Sequence, residues 1–435
     1  MHLLLIFIFI LMGCSDDAVS NSSGSNNEVV NGTGGEINAL EEDGERVLNR
    51  ALFCEYLNEP LWTQRNAYDA AHLLMIPLEY AFEFNDEVLL DCFSNYISNL
   101  KKTVSNKSWE IPGRLNWLQH LHLVGRYYVL SDNIIGSDWL LNEFQKLWSD
   151  EPAWLWARDP FGGIKERIGW KLTTPDKEIS QSYYNVIFDE DYFALSLGLD
   201  LYGLYSRADR LNECTGCVEA KDFFLTIFKD RVEWYGDGWL IDVGRWRDHR
   251  DHAYASYYRE PVSLEGEVLS PQPRNDAVTD SSHAFRYPSW LRSAQLALKE
   301  DSAFIHDLQT GLKFQFLNVI LVSGQEGVPM LNNYMDGKNG WFRYNYASHK
   351  GALNGYGPYS LSGSFAIGWW SLLGGENISS EYDSLIEAFP LESAELQLYA
   401  GSSTREQHPL VSDKWNNGMM MSIAQMSSLL SLARL

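Results

Sequence analysis

The chain has 435 residues, a formal net charge of −24 and 45% hydrophobic residues. This charge argues against nucleic acid or an anionic lipid surface as partner, because both are bound through clustered lysine and arginine. The roughly 400 residues after the first segments are ample for a large core. No hydrophilic linker divides residues 38–435, which are therefore expected to form one domain.

Residues 1–13 are predicted to be a signal peptide. Leu3 to Leu11 form an apolar run that is far shorter than the ~20 residues of a membrane-spanning helix. The following Leu11-Met-Gly-Cys14 resembles the lipobox of bacterial lipoprotein precursors. The resemblance implies cleavage before Cys14 and acyl chains on that cysteine, which would hold the chain to a membrane. An ordinary cleaved signal with an incidental cysteine is the alternative.

Residues 14–37 are predicted to be a flexible tether. Ser15 to about Gly35 are Ser, Asn, Gly and acidic residues with almost no apolar content, so this segment cannot bury enough surface to fold. Ser15, rather than aspartate, follows the cysteine, which resembles the pattern for sorting to the outer membrane. We therefore expect a cell-envelope lipoprotein, periplasmic or surface-facing.

Four further cysteines, an even number, would lie in an oxidising compartment. They are Cys54, Cys92, Cys214 and Cys217, so two disulfides are possible. The Cys214-Thr-Gly-Cys217 spacing also fits a redox pair or half of a zinc site, but no second close pair of ligands completes the zinc site. A structural bridge or inert thiols are the favoured reading.

Apolar residues recur at three- and four-residue spacing along most of the chain, and strand alternation is scarce. The pattern predicts an all-α fold, with helices over about 39–57, 66–85, 87–103, 114–130, 134–148, 183–206, 218–233, 283–299, 303–322, 359–373 and 418–433. Loops rich in Trp, Gly, Asp and Arg separate them, as at 154–160, 234–239 and 337–343. This arrangement favours antiparallel helical hairpins that close into an α/α toroid, since no fixed repeat indicates a solenoid. Aromatic rings in such loops suit stacking on sugars, although most serve the core.

The segment 274–290 is the most informative for function. It begins as a polar loop and enters a helix that Asp280 or Ser281 would cap. A carboxylate there could fix the tautomer of His283 while its other ring nitrogen faces a cleft. The alternative is a capping cluster with a surface histidine. The side chains expected to lie close together are Asp276, Asp280, His283, Arg286 and Tyr287.

The segment 332–349 has little helical period and continues into the Gly-rich stretch 355–363. A polar and aromatic loop of this kind suits binding or catalysis. The alternative is an aromatic hairpin that stabilises itself. Its candidate residues are Tyr334, Trp341, Arg343, Tyr344, Tyr346 and His349.

A third segment places Asn185 before Asp189 and Glu190 at a helix entrance. The two acids suit the positive end of the helix dipole. Asn185 could contact a bound carboxylate or sugar hydroxyl, and a capping role is the alternative.

Two histidine-containing segments have weaker patterns. His249 and His252, each beside an aspartate, could chelate a metal if helical, but hydrogen bonding within a charged loop is favoured, and no metal site is predicted. The polar groups of 66–72 and 120–122 lie in apolar helices, where they would face a barrel lumen or be satisfied in the core. Nucleophile-elbow, P-loop and dinucleotide motifs are absent, so no cofactor is expected.

The lipobox, the helical domain and the order of Asn185, His283 and Arg343-Tyr344 together resemble α/α-toroid polysaccharide lyases of the alginate and glucuronan type. The resemblance covers about 160 residues of the chain, 185–344. It implies that Asn185 and Arg343 neutralise a uronate carboxylate, that His283 is the base or its partner, and that Tyr344 is the acid. Tyr334 or Tyr346 could replace Tyr344. Further contacts to the saccharide would come from Arg286, Tyr287, Trp341, Tyr346, His349 and Asp276.

Two other functions remain open at this point. The first is an α/α-toroid glycoside hydrolase with two carboxylates flanking the bond, with candidates Asp276, Asp280, Asp189 and Glu190. The second is a non-catalytic glycan-binding surface lipoprotein, which would need only the aromatic surface. The strong negative charge of the chain argues against an acidic polymer, although a local arginine cluster can override it.

Overall fold

A computed structural model describes residues 48–58, 64–104, 114–156, 159–256, 274–324, 327–344, 355–401 and 407–434. The predicted signal peptide 1–13, Cys14, the tether 14–37 and the site candidates Tyr346 and His349 lie outside these residues. Within the described ranges, no helix is both long and apolar enough to cross a membrane.

The described part of the chain is mostly helical, which confirms the predicted helical character. Two small antiparallel hairpins, not predicted from the sequence, accompany the helices. The hairpin strands are β1 Val232–Tyr235 with β2 Gly238–Ile241, and β3 Leu321–Ser323 with β4 Pro329–Leu331. The helices are α1 Arg50–Asn58, α2 Gln64–Glu83, α3 Glu87–Val104, α4 Arg114–Leu130, α5 Asp138–Gln145, α6 Ile164–Thr173, α7 Asp189–Arg207, α8 Thr215–Arg231, α9 Ser281–Ala284, α10 Tyr287–Ala297, α11 Ser302–Gln315, α12 Gly363–Ala366, α13 Glu376–Glu387, α14 Ser393–Ala400, α15 Pro409–Ser412 and α16 Met419–Ala433.

The core lies around a set of neighbouring inner helices. Helix α2 packs on α4, α4 on α7, and α7 on α10, while α16 packs on α2. The 3-10 helix Trp369–Leu373 contacts both α10 and α16. Helices α8, α11 and α13 pack on α7, α10 and α16, respectively. Helix α7 is buried around most of its circumference, as expected for a helix enclosed by other elements.

Polar contacts at two levels show that α2, α4, α7 and α10 run in the same direction. The contacts near the starts of these helices join Arg286, His72, Gln119 and Asp189. The contacts in their later halves join Glu79, Arg126, Asp200 and Ser293. The amino-terminal ends of the four helices are therefore gathered at one end of the domain, and the carboxyl-terminal halves at the other.

The contacts in the later halves of these helices belong to a buried ionic cluster, which is defined here as Glu79, Arg126, Asp200, Arg292 and Arg434. Glu79 accepts hydrogen bonds from Arg126 and, at 2.6 Å, from Arg434. Asp200 lies 3.5 Å from Arg126 Nε. Burial raises the pKa of Asp200 to about 6, against the opposing effect of Arg126. The cluster joins the first inner helix to residue 434, just beyond α16.

Both pairs of cysteines are disulfide-bonded, a pairing that the sequence left open. Cys54 of α1 is bonded to Cys92 of α3, with Cα atoms 5.4 Å apart. Cys214 is bonded to Cys217 at the start of α8. The first bond ties α1 to α3, and the second fixes the loop that enters α8.

Gly311, in the second half of α11, packs closely against the first hairpin. A Cβ at Gly311 would lie 2.6 Å from Trp239 Cδ1 and 2.6 Å from Trp234 Cζ3. Trp239 is buried, and its indole N–H donates to the Leu308 carbonyl at 2.7 Å, so the ring cannot move aside.

Replacing Gly311 by alanine is therefore expected to lower the free energy of unfolding by about 1–3 kcal/mol, measured by urea denaturation. The matched control is Gly169→Ala in α6, where the nearest atom to an added Cβ lies at 3.8 Å. There the better helix propensity of alanine should stabilise by up to about 1 kcal/mol. Equal effects of the two substitutions would contradict the packing described for α11.

Candidate functional site

His283 and Asp280 form a hydrogen-bonded pair at the start of the short helix α9. Asp280 occupies the N-cap position, and its carboxylate lies 2.7 Å from His283 Nδ1. Burial alone would raise the pKa of Asp280, but its interaction with His283 holds it well below its usual range. An ionised carboxylate only accepts hydrogen bonds, so Nδ1 carries a proton, and in the neutral form of the ring Nε2 carries the lone pair. The His283 side chain is 26% exposed, which makes it accessible from solvent.

Arg286 ties His283 to the amino-terminal ends of the inner helices. Its guanidinium donates to Asp189 Oδ2 at 2.5 Å, to the Tyr68 hydroxyl at 3.1 Å and to His72 Nε2 at 3.2 Å. The same oxygen of Asp189 lies 3.9 Å from His283 Nε2. Tyr68 is partly exposed, whereas Arg286 and His72 are buried. A base, a carboxylate, a guanidinium and a phenol therefore meet at one place.

Arg343 approaches this place from the loop after the second hairpin. Its backbone is in the left-handed region, with φ of +50°, and its Nε donates to Asp251 Oδ2 at 3.0 Å. Burial would raise the pKa of Asp251, but Arg343 lowers it below its usual range. The preceding residue, Phe342, places its ring centre 5.9 Å from that of His283. Arg343 therefore directly follows, in the chain, the residue whose ring contacts the candidate base.

His252 is buried behind this site. Its ring stacks on Trp246 at 4.7 Å and lies 5.5 Å from Phe342. Within the described part of the chain, neither of its ring nitrogens has a hydrogen-bond partner. Burial is the main cause that lowers the pKa of His252 to about 3, so the ring is neutral and acts as packing surface.

A series of rings leads from His252 outward to a second group of loops. The ring centres of His252 and His249 are 5.8 Å apart, and those of His249 and Tyr183 are 4.7 Å apart. Tyr183 in turn lies 4.9 Å from Trp156. His249, Tyr183 and Trp156 are all partly exposed. This aromatic row, defined as Trp156, Tyr183, His249, His252 and Phe342, ends at His283.

Tyr344 and Trp341 lie beside this site in a small cluster of their own. The Tyr344 ring is buried, 4.4 Å from the ring of Tyr254 and 5.9 Å from that of Trp341. Trp341 is also buried. Tyr334 is buried as well, and its hydroxyl donates to the Trp341 carbonyl at 2.9 Å. All three aromatic side chains are turned into the protein.

Asn185 is buried among protein groups. Its amide donates to Asp176 at 3.0 Å and accepts from Arg231 at 3.0 Å. It closes the 3-10 helix Ser182–Asn185, which precedes α7. Its contacts support the loop that carries Tyr183.

Asp276 and Tyr287 also lie apart from the His283 imidazole. Asp276 pairs with Arg274 at 2.6 Å and with Lys338 at 3.3 Å, and the bond to Arg274 is the main cause that lowers its pKa to about 2. Tyr287 is a core residue whose ring lies 5.1 Å from that of Trp290. Of the segment 274–290, the structure brings Asp280, His283 and Arg286 together.

Tyr68 is partly exposed at this site, and the sequence analysis assigned it no role. The polar stretch 66–72 pointed to a lumen-facing position, but its partner Arg286 is more than two hundred residues away along the chain. Within the described residues, no group of His, Cys, Asp and Glu is arranged to hold a metal ion.

No protein-family model, curated protein or solved structure matches the chain. The function therefore has to follow from the chemistry of these side chains.

Proposed function

We propose that this chain is a cell-envelope polysaccharide lyase that cleaves a uronic-acid polymer by β-elimination. The observation that carries the proposal is the bond from His283 Nδ1 to buried Asp280, which leaves the basic Nε2 at a partly exposed position. A histidine oriented in this way is a general base, and a β-eliminating enzyme needs such a base for the proton at C5 of a uronate.

The reaction would proceed with three groups of the site. Arg343 binds the uronate carboxylate, which stabilises the negative charge that develops as the proton at C5 leaves. His283 Nε2 takes that proton, the C4–O4 bond breaks, and a double bond forms between C4 and C5. Tyr68 gives its hydroxyl proton to the departing O4. Tyr344, the acid expected from the sequence, is buried against Tyr254, which favours Tyr68 for this step.

The orientation of the inner helices supports an anionic substrate. Helix α7 begins at Asp189, which pairs with Arg286, and α10 begins at the residue after Arg286, so the positive ends of these two helices lie at this site. Helix amino termini stabilise anions through their dipoles and free N–H groups. They therefore oppose locally the net charge of −24.

The carboxylates favour a histidine base over paired hydrolytic acids. A glycosidase needs one carboxylic acid whose pKa is raised so that it can protonate the leaving group. Asp276 has its pKa lowered mainly by its hydrogen bond to Arg274, and that of Asp280 is lowered by His283 against the effect of burial. Asp189 and Glu190 are paired with Arg286 and Arg167.

The proposed architecture is an α/α toroid. The order of contacts supports it, since α2, α4, α7, α10, the 3-10 helix Trp369–Leu373 and α16 follow one another and α16 returns to α2.

A glycan-binding lipoprotein without activity is the second candidate, because the aromatic row alone would suffice for stacking. Such a protein would not need the Asp280–His283 pair.

Incubation with alginate, glucuronan, polygalacturonate and hyaluronan tests the proposal. We expect at least one polymer to give products with the ultraviolet absorbance of a C4=C5 double bond, with one double bond formed for each new reducing end. Saturated reducing sugar without that absorbance would identify a hydrolase instead. Binding without cleavage would identify a glycan-binding protein.

Tyr68→Phe removes the proposed acid and leaves the ring in place. We expect kcat on the cleaved polymer to fall by about 10²–10³-fold, as for loss of a general acid. Tyr344→Phe is the matched control, and its kcat should stay within about threefold of wild type. The reverse ranking of the two variants would return the acid role to Tyr344.

A further inference from the structure

The loop 242–252 has an unusual distribution of charge for this chain. It contains three arginines and three aspartates, so its formal charge is zero in a chain of net charge −24. Its arginines are Arg245, Arg247 and Arg250, and the last two are exposed. The Arg250 side chain is 78% exposed.

The acids of this loop are engaged by groups of the protein itself. Asp242 accepts from Arg231 at 2.8 Å. Asp248 accepts from the Ser182 backbone N–H at 2.8 Å, and Asp251 holds Arg343 at 3.0 Å. Each carboxylate is therefore turned toward a neighbouring element, and the positive charge of the loop is left on its outer side.

Among the residues that the structure describes, the two outer arginines have weak ion-pair partners or none. Arg250 Nε lies 3.7 Å from Asp251, a carboxylate that Arg343 already occupies. Arg247 forms no ion pair within the part of the chain that the structure describes. Exposed guanidinium groups of this kind are available to bind a carboxylate in two parallel hydrogen bonds.

Aromatic rings belong to the arginine loop and to the Tyr183 loop that contacts it. His249, between Arg247 and Arg250 in the sequence, contacts Tyr183, and Tyr183 contacts Trp156. The bond from Ser182 to Asp248 fixes the Tyr183 loop against the arginine loop. A ring face for the apolar side of a sugar and a guanidinium for its carboxylate are thus combined.

We propose that Arg247 and Arg250, together with Trp156 and Tyr183, form a second subsite that binds an acidic sugar unit of the polymer. The subsite rests on the proposed function, because it would hold a unit beyond the one cleaved at His283. The aromatic row and the Asp251–Arg343 pair connect the two places. The polymer would thus be held at both a cleaved unit and a distant one.

Binding to the inactive His283→Ala protein tests the subsite separately from cleavage. We expect Arg247→Gln/Arg250→Gln to weaken binding of uronate hexasaccharides by roughly tenfold in calorimetry, as for the loss of charged contacts worth about 1.4 kcal/mol. The salt dependence of binding should fall as well, because two charge contacts are lost. Trp156→Ala should weaken both acidic and neutral hexasaccharides.

Arg207→Gln/Arg210→Gln is the matched control, because it removes the same charge from the opposite end of α7. These positions lie on the order of 30 Å from Asp189 at 1.5 Å per residue, and binding should be unchanged. Equal effects of the two double variants, or no uronate binding by the His283→Ala protein, would overturn the subsite. If Arg247→Gln/Arg250→Gln weakens binding but the wild-type chain gives no unsaturated product, the subsite is kept and the lyase is rejected. If the wild-type chain gives that product but the double variant binds as tightly as its parent, the lyase is kept and the subsite is rejected.

Discussion

Replacing His283 by alanine is expected to lower kcat on the cleaved polymer by about 10²–10⁴-fold, the usual contribution of a general base. The imidazole is the group at this site whose basic nitrogen is oriented by a buried carboxylate. The variant should bind the polymer as tightly as wild type, because the aromatic row and Arg343 remain. Initial rates from the absorbance of unsaturated products, together with a binding constant, measure both quantities.

Two further variants test the assignment of His283 as the base. Asp280→Asn keeps the shape but removes the acceptor that fixes the ring proton on Nδ1, so kcat should fall by roughly 10–10³-fold with little change in KM. His306→Ala changes an exposed histidine of α11 and should have no effect. If the His283→Ala protein kept its rate while Asp280→Asn folded normally, the assignment of the base would be wrong.

Replacing Arg126 by methionine is expected to lower the free energy of unfolding by about 3–5 kcal/mol, because it leaves buried carboxylates with fewer counter-charges. The side chains of Arg126, Glu79 and Asp200 are fully buried, and Arg126 also donates to Ser293 at 2.6 Å. Urea denaturation followed by circular dichroism measures the loss. Arg207→Met removes an exposed pair with Asp132 and should cost only about 0–1 kcal/mol.

The decrease in the free energy of unfolding caused by Arg126→Met should also depend on pH. The pKa of Asp200 is raised in the folded protein to about 6 from 3.8, so its protonation contributes stability that is complete below pH 3.8 and is lost as pH rises through 6. Without Arg126 the carboxylate protonates more readily, so the variant should be less impaired at pH 5 than at pH 7.5. Arg126→Met/Asp200→Asn should recover part of the loss at pH 7.5. A loss that is the same at both pH values would contradict this account.

The sequence predicted long amphipathic and apolar helices closely. The segments 87–103, 114–130 and 418–433 agree with α3, α4 and α16 within one residue at each end. Helix α6 was missed because Arg167 and Lys171, on its buried side, disguise the apolar pattern. Both are buried by pairing with Asp191, at 2.7 and 2.5 Å. Helices α13 and α14 were also missed.

The site could be predicted only where its partners are close in sequence. Asp280 and His283 are three residues apart, so a helix start brings them together whatever surrounds it. The contact of Arg286 with His72 spans 214 residues and that of Arg343 with Asp251 spans 92, so only the packing of distant elements reveals them. Tyr287 adjoins Arg286 in the chain, but it points into the core because successive helix residues face different directions.

The bond from Arg434 to Glu79 has a consequence for the order of assembly. Glu79 is on the first inner helix, and its partner is 355 residues further along the chain. During synthesis, α2 and α4 can associate early, but the Glu79 carboxylate gains its hydrogen bond from Arg434 only when the end of α16 has been made. The domain therefore gains part of its stability late, which would suit the export proposed for this chain.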